Sequence, residues 1–183
     1  MTAFRCTAKL LKPLKVAAET DIPAPENRLG DWTANVVRHG RKPFVIAVAE
    51  HSRLALLLPA APYATLLERF LEGLPYLLRY LYVPETQIEA EMAAMTPLHV
   101  ARTNSRSVLA SINQYNFMIS CYLEGESWTT VDLMKRMAEE ISKPNDYQPV
   151  GDAVRARFGL EPMIGPAMRV EAEPWRLEYE RRS

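Results

Sequence analysis

Cysteine is scarce in this chain. Its 183 residues include two, Cys6 and Cys121, far apart and in no C-x-x-C pair. That usage excludes a fold stapled by disulfides and a thiolate metal cluster, and it predicts free, mostly buried thiols in a reducing cytoplasm. No G-x-x-x-x-G-K-[ST] loop occurs, which excludes a P-loop nucleotide site. No G-x-S-x-G elbow occurs either. Ser105, Ser107 and Ser111 therefore lack the setting of a serine hydrolase nucleophile. Neither sign of charge is in excess: Lys plus Arg and Asp plus Glu are 22 each, with a pI near 6.8. A dedicated non-specific nucleic-acid binder would be basic.

Long apolar runs are also missing. The most apolar window, residues 66–83, is broken by Glu68, Arg69, Glu72 and Arg79, so no membrane span is expected. The start of the chain carries no apolar h-region, so no secretory signal is expected and the location reads as cytoplasmic. His39, His51 and His99 are scattered, in spacing that does not suit zinc. No metal and no cofactor is expected. No internal repeat is visible.

What is present is an ordinary globular composition, 48% hydrophobic. A chain of this length buries about 70% of its unfolded surface. One domain is expected over residues 1–160, then a C-terminal arm over 161–183. Pro149, Pro162, Pro166 and Pro174 punctuate that end, and Trp175, Leu177 and Tyr179 alternate as in an added edge strand or a partner contact.

The predicted elements follow from period and punctuation. Ala3-Phe4-Arg5-Cys6 reads as a strand, and Thr7 as the cap of a brief helix limited by Pro13. Asp31 reads as the N-cap of a helix with Trp32, Val36 and Val37 on its apolar face and Gly40 at its stop. Residues 43–49 form a strand, 50–53 a turn and 54–58 the returning arm of a hairpin. Leu66, Phe70, Leu74, Leu77 and Leu81 mark an amphipathic helix that Pro75 should kink or split. Residues 87–95 form another, with Ile88 and Met92 inward and Glu85, Glu89 and Glu91 toward solvent. Thr129 or Thr130 caps a helix that buries Val131, Leu133, Met134 and Met137. The fold class is α+β. A small, mostly antiparallel sheet of about four strands, from segments near Phe4, Phe44, Leu56 and Val100, carries helices mainly on one face.

The most informative stretch is Arg102-Thr103-Asn104-Ser105-Arg106-Ser107-Val108-Leu109-Ala110-Ser111-Ile112-Asn113. It joins the short strand at Leu98-His99-Val100-Ala101 to a helix capped by Asn104 or Ser105. Val108, Ile112, Tyr115, Ile119 and Tyr122 form that helix's apolar stripe, and Arg106, Asn113, Asn116 and Ser120 share one strip beside it. Two readings stand. Capping and loop-bracing account for such residues in many proteins. A helix N-terminus with free N–H groups, hydroxyls and flanking arginines also suits a phosphate or carboxylate. On that reading Arg102, Asn104, Ser105, Arg106, Asn113 and Asn116 line a cleft with Trp32 and Asn35.

Three pieces in this order also resemble a known family: Phe4-Arg5-Cys6-Thr7-Ala8-Lys9-Leu10-Leu11, Arg28-Leu29-Gly30-Asp31-Trp32-Thr33-Ala34-Asn35, and the stretch from Thr103 to Asn113. The family comprises small bacterial proteins classed only as a domain of unknown function. Its central motif often reads N-S-R-S-V-L-G-S-M-N, with Ala110 and Ile112 here in place of the Gly and Met. The resemblance covers roughly residues 1–142. It implies the fold and supplies no activity, substrate or catalytic residue. The expected function is a binding or interaction module for a small anionic ligand or a protein partner. One alternative is an RNA- or nucleotide-processing enzyme, against which the neutral charge balance counts. Another is a structural protein that forms a homodimer through its aromatic tail.

Overall fold

A computed structural model describes residues 1–123 and 128–164. The aromatic tail around Trp175 lies outside them. A five-stranded sheet, in the order β4-β3-β2-β1-β5, forms the centre. Its strands are β1 (Thr2–Cys6), β2 (Trp32–His39), β3 (Lys42–Ala49), β4 (Ala55–Pro59) and β5 (Leu98–Arg102). β1 lies between β2 and β5 and is parallel to both, while β2, β3 and β4 form an antiparallel meander that holds more of the pairing. The fold is therefore mixed α+β with a mostly antiparallel sheet.

The segment from Trp32 to Val37 is a strand, not the helix expected from Asp31 and Gly40. Trp32, Thr33, Val36 and Val37 are aromatic or β-branched and fit a pleated surface with neighbours on both sides. The Asp31 carboxylate does not cap a helix. It accepts the Ala3 N–H at 3.0 Å and the Arg5 Nε–H at 2.8 Å, with Arg5 Nη2 at 2.6 Å. Gly40 opens a two-residue hairpin loop with φ of +59°, a conformation such a loop favours. This extra strand raises the sheet from the expected four strands to five.

Strand alternation sorts the side chains by face. Phe4 and Trp32 point one way and meet the Phe70 ring edge-on, each with centroids 4.9 Å apart. Phe70 belongs to α2 (Leu66–Tyr80), which runs through Pro75 without a break, so the expected split is absent. Thr33, Asn35, Val37 and His39 point the other way. There they face α4 (Arg106–Leu123), which packs on β2 and β3 and buries Val108, Ile112, Tyr115 and Ile119. Helices thus cover both faces, adding to the one-sided packing expected. α1 (Ala8–Leu14) carries Pro13 inside its last turn. Thr7 sits at its N-cap position, but its hydroxyl donates to Asn35 Oδ1 at 2.7 Å instead of accepting a helix N–H.

At the C-terminal side, α5 (Thr130–Glu139) opens with a reciprocal capping box between Thr129 and Asp132. α6 (Val150–Arg157) docks through Val154 and, just beyond it, Phe158. The Cys6 thiol is buried, and burial pushes it up to about 12, so it is inert; Cys121 is exposed. No described helix is long and apolar enough to cross a membrane.

A knot of buried polar groups fixes residues 27–31. Asn27 donates to Thr2 Oγ1 at 2.5 Å and accepts the Gly30 N–H at 2.6 Å. Gly30 has φ of +79°, and an added Cβ would meet the His51 ring at 2.9 Å. Glu91, on α3 (Glu85–Met95), was expected to face solvent. Instead it is buried and accepts the N–H groups of Arg28 and Leu29 at 2.9 and 3.0 Å. Replacing Glu91 by Ala leaves those two donors without their acceptor. Each such loss costs about 1–3 kcal/mol. Glu91→Ala should therefore lower stability by about 3 kcal/mol and Glu91→Gln by less, read from urea unfolding midpoints.

Candidate functional site

The first turn of α4 collects the groups that can bind. Thr103 N–H donates to the Cys6 carbonyl at 3.1 Å, which anchors the loop at the end of β1. Ser105 Oγ then accepts the Val108 N–H at 3.3 Å, so Ser105, rather than Asn104, supplies the cap. The N–H groups of Arg106 and Ser107 precede any i−4 acceptor, and the helix dipole adds positive potential there. The side chains of Arg102, Asn104 and Arg106 are exposed and form no hydrogen bond or ion pair among the described residues.

Beneath this turn lies a residue that sequence reasoning assigned to a plain hairpin turn. Arg53 is only 9% exposed, at φ of +64°. Its Nη2 donates to Ser107 Oγ at 3.0 Å, and its carbonyl accepts the Tyr115 hydroxyl at 2.9 Å. Its Nη1 is buried without a partner, and no carboxylate pairs with it among the described residues. Desolvation lowers its pKa, opposed by the charge of Glu50 and by Tyr115, and burial raises that of Tyr115. Because Ser107 Oγ accepts from a cation, its own hydroxyl proton is polarised and can be directed outward. The available signal was an arginine directly before the fully apolar return strand, where a free side chain would be out of place.

The remaining predicted residues separate. Asn113 is exposed on α4. Trp32 is wholly buried on the opposite face of the sheet. Asn35 shares α4's face but is engaged by Thr7. Asn116 lies at the other end of α4, beside His39. There Ser120 Oγ donates to the Asn116 carbonyl at 3.0 Å and stands 3.2 Å from His39 Nδ1. His39 Nε2 and Asn116 Oδ1 are buried and make no hydrogen bond of good geometry. A cleft of about 450 Å³ opens here, lined by Arg38, His39, Gly40, Ser120 and Leu123. A second, of about 370 Å³, lies beside His51, Asn145, Asp146 and Arg157. Among the described residues no group of three His, Cys, Asp or Glu side chains is placed to hold a metal ion.

The sheet, its two helical layers and the polar knot at residues 27–31 define a small mixed α+β domain. The chain belongs to the family described as Domain of unknown function (DUF6933), whose profile matches residues 3–150. No curated protein and no solved structure matches the chain.

Burial lowers the His39 pKa from its ordinary 6.5, partly opposed by the Asn116 amide. The folded chain therefore holds its proton less tightly than the unfolded chain. The resulting contribution is intact above pH 6.5 and declines as pH falls through that value and below it. Stability measured by denaturant unfolding should drop over this acid window, and the drop should be smaller in His39→Gln.

Proposed function

We propose that this domain is a binding module whose site for an oxyanion, a phosphate or a carboxylate, lies at the first turn of α4. The observation that carries this reading is Arg53. A buried guanidinium with no carboxylate in contact is costly, and an external anion offsets that cost. Ser107 connects the two, accepting from Arg53 and donating toward the ligand. The free N–H groups of the first turn add the geometry that oxyanions favour. Arg102 and Arg106 flank it as exposed, unpaired cations that can close over the ligand.

Binding is favoured over turnover by the position of the histidine that hydrogen-bonds to α4. His39 meets the helix at Ser120. That is thirteen residues beyond Ser107, or about 20 Å at 1.5 Å per residue. A general base must stand within hydrogen-bond reach of the group it deprotonates.

Inorganic phosphate should raise the melting temperature of the purified protein. A ligand confined to the folded state adds about 2.7 kcal/mol at a hundredfold excess over its dissociation constant. Arg53→Met should abolish that shift while leaving stability without phosphate within about 1 kcal/mol of the parent, since the buried charge is replaced by an apolar side chain of similar length. A phosphate shift that survives Arg53→Met would sink the reading. So would a loss above about 3 kcal/mol in phosphate-free buffer, which would mark Arg53 as a structural strut.

A further inference from the structure

The charges on this chain are balanced in number but not in space. No Asp or Glu occurs from Trp32 to Ala49, the β2–β3 hairpin, nor from Met92 to Leu123, which includes all of α4. The acids gather elsewhere, with Glu68 and Glu72 on α2 and Glu85, Glu89 and Glu91 on α3. The hairpin tip carries Arg38, Arg41 and Lys42, all exposed. It lies against the far end of α4 through His39 and Ser120. One helix therefore joins two basic regions, Arg102 and Arg106 at its start and the hairpin at its finish.

Between them runs an exposed strip of α4: Arg106, Ala110, Asn113, Phe117 and Cys121. These residues recur at spacings of three and four, so they share one outer face. Phe117 is 70% exposed, so its ring face is open to a ligand. Beside it opens the 450 Å³ cleft with His39 and Ser120 on its wall. A cleft of this size falls within the range of small-molecule sites.

We propose that this face binds a single-stranded nucleic acid. The inference rests on the anion site proposed above, whose oxyanion becomes one phosphate of the strand. From Arg106 to Ser120 the helix spans about 21 Å, enough for several nucleotides of the four to sixteen, roughly, that compact single-strand binders cover. Arg41 and Lys42 hold phosphates at the other end. Phe117 offers a stacking face, which every base can use. The cleft takes an unstacked base. A duplex would present an unstacked base neither to Phe117 nor to the cleft. An anionic membrane would satisfy the cations but would leave the cleft unused.

The test is fluorescence anisotropy with a labelled twelve-nucleotide single strand of mixed A and C. It is run beside the matching duplex, phosphatidylserine vesicles and inorganic phosphate. The single strand should bind at least tenfold tighter than the duplex. The logarithm of its association constant should fall with log salt by about 0.7 per phosphate held. Phe117→Ala should weaken the single strand at least fivefold with the melting temperature and phosphate binding unchanged. Arg41→Ala with Lys42→Ala should flatten the salt slope, again without touching phosphate. If phosphate binds and the single strand does not, or if Phe117→Ala has no effect, this inference falls and the anion site stands. If neither binds, both fall. Preference for the duplex or the vesicles also overturns the single-strand assignment.

Discussion

Three buried polar side chains hold this structure in register. Asp31 ties the backbone and arginine of β1 to the start of β2, Asn27 joins Thr2 to Gly30, and Glu91 reaches from α3 to the backbone at Arg28 and Leu29. Buried carboxylates persist only when donors surround them, so the arrangement tolerates little displacement. It sets Phe4 opposite Trp32. A one-residue slip of β2 would turn Trp32 away from Phe70 and would send Asn35 and His39 to the wrong face. The aromatic core and the polar face toward α4 are thus two consequences of one alignment.

The position of α4 follows from that alignment. Its apolar stripe settles on β2 and β3, and its two ends are fixed by unlike contacts. At one end Arg53 and Tyr115 lock the β3–β4 turn to the helix, and at the other His39 meets Ser120. The helix is the rigid link between the proposed oxyanion site and the basic hairpin. Its exposed strip inherits a fixed length and direction, which a pair of loops could not supply.

Much of the fold was legible in the sequence because much of it is local. The β3–β4 hairpin, the Ser105 and Thr129 caps and the α2 stripe each depend on residues within a turn or two of one another. The segment from Trp32 to Val37 was misread because a short apolar run fits either period, and Asp31 and Gly40 mimic helix punctuation. Thr33 and two valines were the counter-signal. Of the residues in the proposed site, Ser105, Arg102 and Arg106 stand out in the sequence and Arg53 does not. Arg53 finds Ser107 across 54 positions, and Glu91 finds Leu29 across 62. No periodicity encodes such pairs. A helix over residues 31–40 would set Trp32 and Asn35 on one side, and the pleat of the actual strand separates their faces and removes Trp32.

The place of β1 bears on how the chain reaches this state during synthesis. An interior strand at the amino end must wait for its second neighbour, since β5 begins at Leu98, opposite Thr2. At ribosomal rates of about 5–20 residues per second, some 5–20 s separate the emergence of the two. During that interval the meander of β2, β3 and β4 can close, and β1 can join it along one side only. The other side stays open as an unpaired edge with an apolar Phe4 beneath it, a form prone to pair with another nascent chain. Glu19 bridges to Ala101 in the finished molecule and covers part of the β5 edge instead. The chain thus moves its exposed edge outward as it is made, from the centre of the sheet to a flank that its own connecting segment shields.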